Sequence, residues 1–418
     1  AGPPALSSLE AAGPALEQLA AHWGEDTPLS RALRACLMAD EQAAGRMAAI
    51  QRAATRTPAA LSEKTARALF RDDIQASATQ VDVYHRCRFS YFCRYGLRAK
   101  KLRQADMDVL QRGTIVHYVL EKMTQRYGAE LRYTDAAGRA VDIHGFVKEY
   151  AENAMGGLDK LPPRLRYMLR RVESLLADIL SRMAEEFAAG DFEPAACELV
   201  IGEKGEVPPM EVPLSEGSLS VSGVVDRVDV WNQGVRQYVR VVDYKTGSRN
   251  FNLPDVLQGL NLQMLLYLFI LEEQGKPLDI ETGPHPAPAA AGELLPAGIL
   301  YMPSRRAMGT PEDSEKAIRR KNRMNGLLLD EPEVLKAMEK DGEGLYIPVD
   351  YNKKDGLPKK TAPLAGPADF EVLRLHIRRL LREMGDTLHK GDIAAAPDRK
   401  STRQNSSHIR RSRMPSSA

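Results

Sequence analysis

GVVDRVDVW at residues 223–231 and VRVVDYKTG at residues 239–247 decide how this chain folds. Both runs are short and rich in Val, and Asn232-Gln233-Gly234 supplies a turn between them. That is the pattern of two neighbouring β-strands. Residues two apart on a strand share a face. Asp243 and Lys245 therefore project together, Tyr244 points away, and a hairpin brings Asp226 beside the pair. Asp229 falls on the face opposite Asp226 and reads as structural. Two carboxylates held close repel each other unless a cation neutralises them, and hard oxygen ligands select Mg²⁺ or Mn²⁺. An ion of that kind lowers the pKa of its bound water and screens a phosphate, and a lysine beside it orients or helps deprotonate the attacking water. The constellation suits phosphodiester hydrolysis. D-x-K alone is a weak signature, more often an ordinary cross-strand ion pair on a surface hairpin than a catalytic set. The Val runs shift the balance, because strands of this apolarity are buried and unpaired charge there is costly.

Two helical segments add polar groups. GTIVHYVLE (113–121) lies in an amphipathic helix expected over 108–127 and puts His117 and Glu121 one turn apart. GLNLQMLLYL (259–268) does the same for Gln263 and Tyr267, within a helix expected over 255–273 after Pro254. A lone His on a helix is more often an ordinary polar residue than part of a site, and 259–268 taken singly also reads as a core helix with a polar edge. Elsewhere the spacing predicts short helices within 1–75 and a helix over Ser77 to Leu97 that turns at Gly96. Two helices are expected in 141–190, separated by Leu161-Pro162-Pro163, and a strand from Glu198 to Ile201. A Pro/Ala/Gly-rich insertion (279–297) precedes a strand at 297–302, a charged helical stretch over 312–342 and a final helix over 370–390. The mixture is an α/β fold with a mixed central sheet flanked by helices. No G-x-x-x-x-G-K-[ST] occurs, so the chain carries no P-loop and no ATP site is expected.

With 418 residues, 43% apolar and 27% charged, the composition excludes a disordered or collagen-like chain. Four Cys, at 36, 87, 93 and 197, are too few for a disulfide scaffold. No apolar run is long enough to span a membrane and no signal peptide opens the chain, so the expected compartment is the cytoplasm. The first residue is Ala, which suggests a fragment. Residues 398–418 read as a non-native tail: Asp398 to His408 matches the translation of a common sequencing adapter with one change, Gln404, and Ser412 to Ala418 matches a later part of it. Without that tail the formal charge moves from +2 to −3. Bulk charge therefore says little about partners, and any nucleic-acid contact must come from local patches such as Arg305-Arg306 or Arg319 to Arg323.

Taken in order, Gly113 to Glu121, Gly223 to Asp226, Asp243 to Thr246 and Gln263 to Tyr267 resemble the G-x-x-x-H, G-x-[IV]-D, D-Y-K-[ST] and Q-x-x-x-Y motifs of RecB-type nucleases. These belong to the PD-(D/E)xK, or restriction-endonuclease-like, superfamily. Ser77 to Cys87 (SATQVDVYHRC), Phe89 to Leu97 (FSYFCRYGL), FEPAACEL (192–199) and AGILYMP (297–303) sharpen the resemblance to the nuclease domains of AddB-type helicase–nuclease subunits. The resemblance implies a nuclease domain over 76–397, with 1–75 as the helical end of a truncated helicase-like region. It implies that Asp226, Asp243 and His117 ligate Mg²⁺ or Mn²⁺, that Lys245 is the catalytic lysine, and that Gln263 and Tyr267 brace the site or the DNA, with Glu121 and Glu198 supporting. It also implies a [4Fe–4S] cluster in the intact protein. Cys87 matches one ligand, Cys93 is a weaker candidate and the remaining ligands are missing after Pro397, so reduced stability is expected of this chain. The implied activity is Mg²⁺-dependent exonuclease action on single strands at duplex ends, with an AddA-like helicase–nuclease subunit as partner, in double-strand-break repair by recombination. A stand-alone RecB-family exonuclease and a nuclease-fold DNA-binding or docking scaffold without catalysis are the alternative readings.

Overall fold

In the computed structural model of the chain, the residues described are 27–39, 44–46, 48, 60–99, 109–245, 251–276, 278, 293–303 and 313–395. The described helices begin with α1 (Pro28–Met38) and α2 (Glu63–Phe70), the latter opened by Ser62 Oγ accepting from the Thr65 amide. Strand β1 (Asp73–Ser77) runs directly into α3 (Ala78–Arg86), where Ser77 and Gln80 cap each other reciprocally. The short α4 (Arg88–Tyr91) follows. Three long helices come next: α5 (Val109–Tyr127), α6 (Ala136–Met155) and α7 (Pro163–Ala189). Asp135 caps the start of α6, Gly156 at φ +80° ends it, and Pro163 opens α7. Strands β2 (Glu193–Ile201), β3 (Met210–Pro213), β4 (Ser218–Gln233) and β5 (Arg236–Lys245) build the sheet's centre. The remainder is α8 (Leu253–Leu257), α9 (Gln263–Gln274), β6 (Glu293–Pro303), α10 (Glu315–Lys321), β7 (Asn325–Leu329), α11 (Pro332–Met338), β8 (Leu364–Ala365) and α12 (Pro367–His389).

The strands form one mixed sheet in the order β1-β4-β5-β6-β7-β8, with β2 and β3 also paired to β4. β4 is the spine: parallel to β1 and antiparallel to β2, β3 and β5. β5 and β6 are parallel, joined by a crossover that contains α8 and α9. Val225, Val228, Val230, Val239, Val241 and Val242 are all buried, as the Val runs require. α9 packs on β5 and β6, α12 on β3, β4 and α2, and α5 on β2.

Four sequence expectations differ from this structure. The helix expected over 255–273 is two helices, because Gly259 and Asn261 adopt φ +81° and +57°. At Gly259 a Cβ would meet the His85 ring at 2.2 Å, so α3 occupies the space a continuous helix would need. The 312–342 stretch is helix, strand, helix: Asn325–Leu329 is buried and pairs with β6, its apolar run masked by charged flanks. Ser77 to Leu97 breaks at Cys87, which is extended (φ −169°, ψ 111°) and separates α3 from α4. Residues 293–297, expected within the insertion, are the start of β6, paired to Arg236–Val239; residues 279–292 and the tail at 398–418 lie outside the described residues.

Candidate active site

The site lies where β4 exchanges one set of neighbours for another. In the β2–β4 register Cys197 is opposite Arg227 and Leu199 is opposite Val225, so Glu198 is level with Asp226. The β4–β5 register runs to Arg227 opposite Val242, and one further step brings Asp226 level with Asp243. Glu198, Asp226 and Asp243 thus stand in one row across three adjacent strands, and Asp243 is in turn level with Tyr301 of β6. The β4–β5 ladder stops at this row. The Tyr244 amide donates instead to Asp226 Oδ2 at 3.0 Å, so the side chain replaces the next backbone acceptor. Glu198 takes φ +51°, a left-handed conformation that costs an L-residue about 1–2 kcal/mol and is held where its surroundings over-determine it.

α5 brings His117 to the row. Its Nδ1 is 3.1 Å from Glu198 Oε1 and 3.5 Å from Asp226 Oδ1. His117, Glu198 and Asp226 each offer a ligand atom, and these atoms lie within 4.8 Å of one another, a spacing a single divalent ion can bridge. Burial lowers the imidazole's proton affinity, but the hydrogen bond with Glu198 and the charges of Asp226, Glu198 and Asp243 outweigh it, so its pKa is raised. The Tyr244 ring meets His117 edge-on, centroids 6.1 Å apart. On α9, Gln263 Nε2 donates to the Tyr267 hydroxyl at 3.3 Å. Tyr267 is buried, and burial followed by the charges of Asp226 and Asp243 raises its pKa despite the Gln263 bond. A Cβ at Gly223 would sit 2.3 Å from the Tyr267 hydroxyl, so the missing side chain there is what lets the phenol reach β4.

Glu121 is not drawn into this cluster: it accepts from Gln125 Nε2 at 3.0 Å on an exposed face. Lys245 ends β5, and its side chain, like Thr246 and Arg305-Arg306, lies outside the described residues. The 319–323 cations are committed within the protein. Arg319 lies 3.2 Å from Glu315, Arg320 donates to the Glu343 carbonyl at 2.8 Å, Lys321 lies 2.7 Å from Asp313, and Arg323 lies 2.8 Å from Asp350.

On the other side of the hairpin Asp229 is structural, as its position in the strand implies, but sequence reasoning missed its partners. Arg227 and Asp229 of β4, Arg240 of β5 and Glu186 of α7 form a fully buried ion-paired square. Arg227 donates to Asp229 Oδ2 at 2.9 Å and to both Glu186 oxygens at 3.2 Å; Arg240 Nε donates to Asp229 Oδ2 at 2.9 Å and its other end reaches Glu186. The guanidinium carbons of Arg227 and Arg240 lie 5.1 Å and 4.8 Å from the Phe187 and Phe192 ring centroids. The signal was present as Arg and Asp two apart inside a Val run.

An iron–sulfur cluster needs four ligands, as a rule Cys. Cys87 and Cys93 are half-buried near one another in sequence. Cys197 sits in β2 with its thiol pushed up to about 12 by burial, and the Cys36 side chain lies outside the described residues. The described thiols do not make a four-thiolate set. Near Cys87, residues 61–88 are joined to residues 389–392 by polar contacts. Arg88 pairs with Asp392, the Leu61 amide donates to the Gly391 carbonyl at 2.7 Å, and His389 Nε2 lies 2.9 Å from the Arg71 carbonyl.

Residues 75–404 match the profile of the PD-(D/E)XK nuclease superfamily. The chain is 31% identical over 346 residues to the B-type ATP-dependent helicase/deoxyribonuclease subunit of Thermoanaerobacter sp. (strain X514), covering 79% of this chain and 29% of the relative. It is 32% identical over 352 residues to the protein of that name from Acetivibrio thermocellus, covering 81% and 30%. It is also 32% identical over 353 residues to that of Symbiobacterium thermophilum, covering 81% and 29%. The chain thus spans under a third of the length of these curated relatives.

Proposed function

This chain belongs to the PD-(D/E)XK nuclease superfamily, and from that premise we propose that it hydrolyses the phosphodiesters of single DNA strands at duplex ends, as the nuclease part of a helicase–nuclease subunit. The observation that carries the reading is the row of Glu198, Asp226 and Asp243 with His117 set against it. Relatives named as helicase/deoxyribonuclease subunits support a DNA substrate and a partner subunit; the sequence resemblance makes that partner one of AddA type. Break repair by recombination and a cytoplasmic location belong to the same proposal; no helix among the described residues is long and apolar enough to cross a membrane.

Asp226, Glu198 and His117 would hold Mg²⁺ or Mn²⁺, with Asp243 the next carboxylate along the row. Their donor chemistry, three oxygens and one imidazole, fits a hard divalent ion. When bound, such an ion supplies charge for the phosphate and acidifies a water. The chain's own residues do the rest. The Tyr244 amide anchors Asp226 through Oδ2, with Oδ1 3.5 Å from His117. Glu198 holds the imidazole in place. Lys245, two residues beyond Asp243 on β5, would orient the attacking water and take its proton. Gln263 fixes the Tyr267 hydroxyl, which would brace the cluster or the DNA backbone. Cys87 is the position the family resemblance assigns to an iron–sulfur cluster in the intact protein; no step here depends on it. Residues 76–397 would form the nuclease domain.

The test is degradation of single-stranded DNA by this chain with Mg²⁺, beside Lys245→Ala and a chelator control. The wild type should degrade the strand, and both the variant and the chelated sample should not. Equal degradation by wild type and variant would reject the site.

A further inference from the structure

We propose that the solvent face of the N-terminal half of α7 is a track that binds single-stranded DNA; the inference rests on the nuclease reading and names a substrate-binding surface for it. Arg166, Tyr167, Arg170 and Arg171 are all exposed there, Tyr167 by 59%. Arg166 with Arg170, and Tyr167 with Arg171, are four apart and stack along the same side of the helix. Among the described residues these three arginines meet no carboxylate, in contrast to the 319–323 cluster, where every cation is engaged. The nearest acid further along the helix, Glu173, is itself taken by His144 Nδ1 at 2.8 Å.

α6 and α7 are joined by a short connection and pack together, as an antiparallel pair does. Leu169, Val172 and Leu176 turn the other side of α7 into the core, so the arginines and Tyr167 hold the side that faces solvent. The exposed Tyr167 ring offers a face on which an unstacked base can stack, and guanidiniums donate to phosphates, which is how single strands are held without sequence preference. A duplex offers no free base faces, so the surface fits a single strand.

The experiment measures binding of labelled oligothymidine to the 418-residue chain in chelator, by fluorescence anisotropy across a salt series. Replacing Arg166, Arg170 and Arg171 by Ala should raise Kd about tenfold or more at low salt and make the log Kd against log salt slope shallower by about 2, near 0.7 for each lost phosphate contact. The triple Lys variant should keep the wild-type slope. Tyr167→Ala should weaken binding roughly tenfold while Tyr167→Phe retains it, because stacking needs the ring. Unchanged slope and affinity in the triple Ala variant at an unchanged melting temperature would overturn the proposal, as would tighter binding of duplex than of single strand. Cleavage with Mg²⁺, run in parallel, separates the two readings: binding without cleavage rejects the nuclease and keeps the track, whereas cleavage with an unaltered slope rejects the track alone.

Discussion

The hairpin of β4 and β5 buries charge in two opposite ways. On one side Arg227, Arg240, Asp229 and Glu186 alternate in sign and are hydrogen-bonded to one another in full burial. On the other, Glu198, Asp226 and Asp243 line up with like sign, and an imidazole leans on two of them. The first arrangement completes itself within the fold. The second concentrates negative potential at the end of a strand ladder, where an incoming cation lowers the energy of the whole group. The same two strands, offset by a single residue, thus serve cohesion on one side and chemistry on the other.

The largest effect that can break this contrast is on activity. Asp243→Asn should reduce single-strand cleavage by at least about two orders of magnitude, the scale of losing one preorganised electrostatic contact. Its melting temperature should stay level or rise, since a like charge has gone; a large fall would mean that the row is structural. On the paired side the expectation reverses. Glu186→Gln should cost about 3–5 kcal/mol in urea unfolding by leaving two buried guanidiniums to share the single carboxylate of Asp229, whereas replacing the square by apolar residues of similar volume should be near neutral. A loss below about 1 kcal/mol in Glu186→Gln would remove the distinction between the sides.

Gly223→Ala sharpens the comparison at intermediate size. The new methyl must displace the Tyr267 hydroxyl, with an overpacking cost of about 1–3 kcal/mol. Gly223→Ala in a Tyr267→Phe background should recover part of that loss. The smallest effect concerns a third way of burying a titratable group, which is to keep it neutral. His85, packed under Gly259 with Nδ1 2.9 Å from the Val81 carbonyl, has its pKa lowered by burial, with that hydrogen bond opposing. A depressed pKa gives stability that is present above the unfolded value near 6.5 and lost as pH falls through it towards the folded value. Urea midpoints should therefore drop more between about pH 7.5 and 5.5 for the wild type than for His85→Gln; parallel curves would refute the assignment.

Much of this could be read from the residues, and the reasons differ by element. The Val runs and the Asn232-Gln233-Gly234 turn specify strand, hairpin and face together, because a period of two leaves no freedom once one face is buried. Placing Asp226 beside Asp243 followed from that alone. The prominence of Glu198 did not. It depends on a left-handed backbone at a non-glycine residue inside a strand, a conformation that sequence gives no reason to assume. Alternation already put Asp229 on the face opposite Asp226; the square around it was missed because Arg240 and Glu186 come from β5 and α7, and no local pattern pairs them with β4. The break at Gly259 and Asn261 was hidden by the strong apolar run after it, and β7 by charged neighbours, since periodicity cannot separate a five-residue strand from a helix segment.

The joining of residues 60–99 to the last helix has a consequence for synthesis. β1 finds its place only when β4 has been made, some 145 positions later, and α2 rests on α12, with Leu61 bonded to Gly391. As the chain leaves the ribosome, the first segments of the sheet must wait for the last helix. Nascent chains halted before residue 367 should therefore be digested by added protease over residues 60–99, whereas chains released beyond residue 395 should resist it.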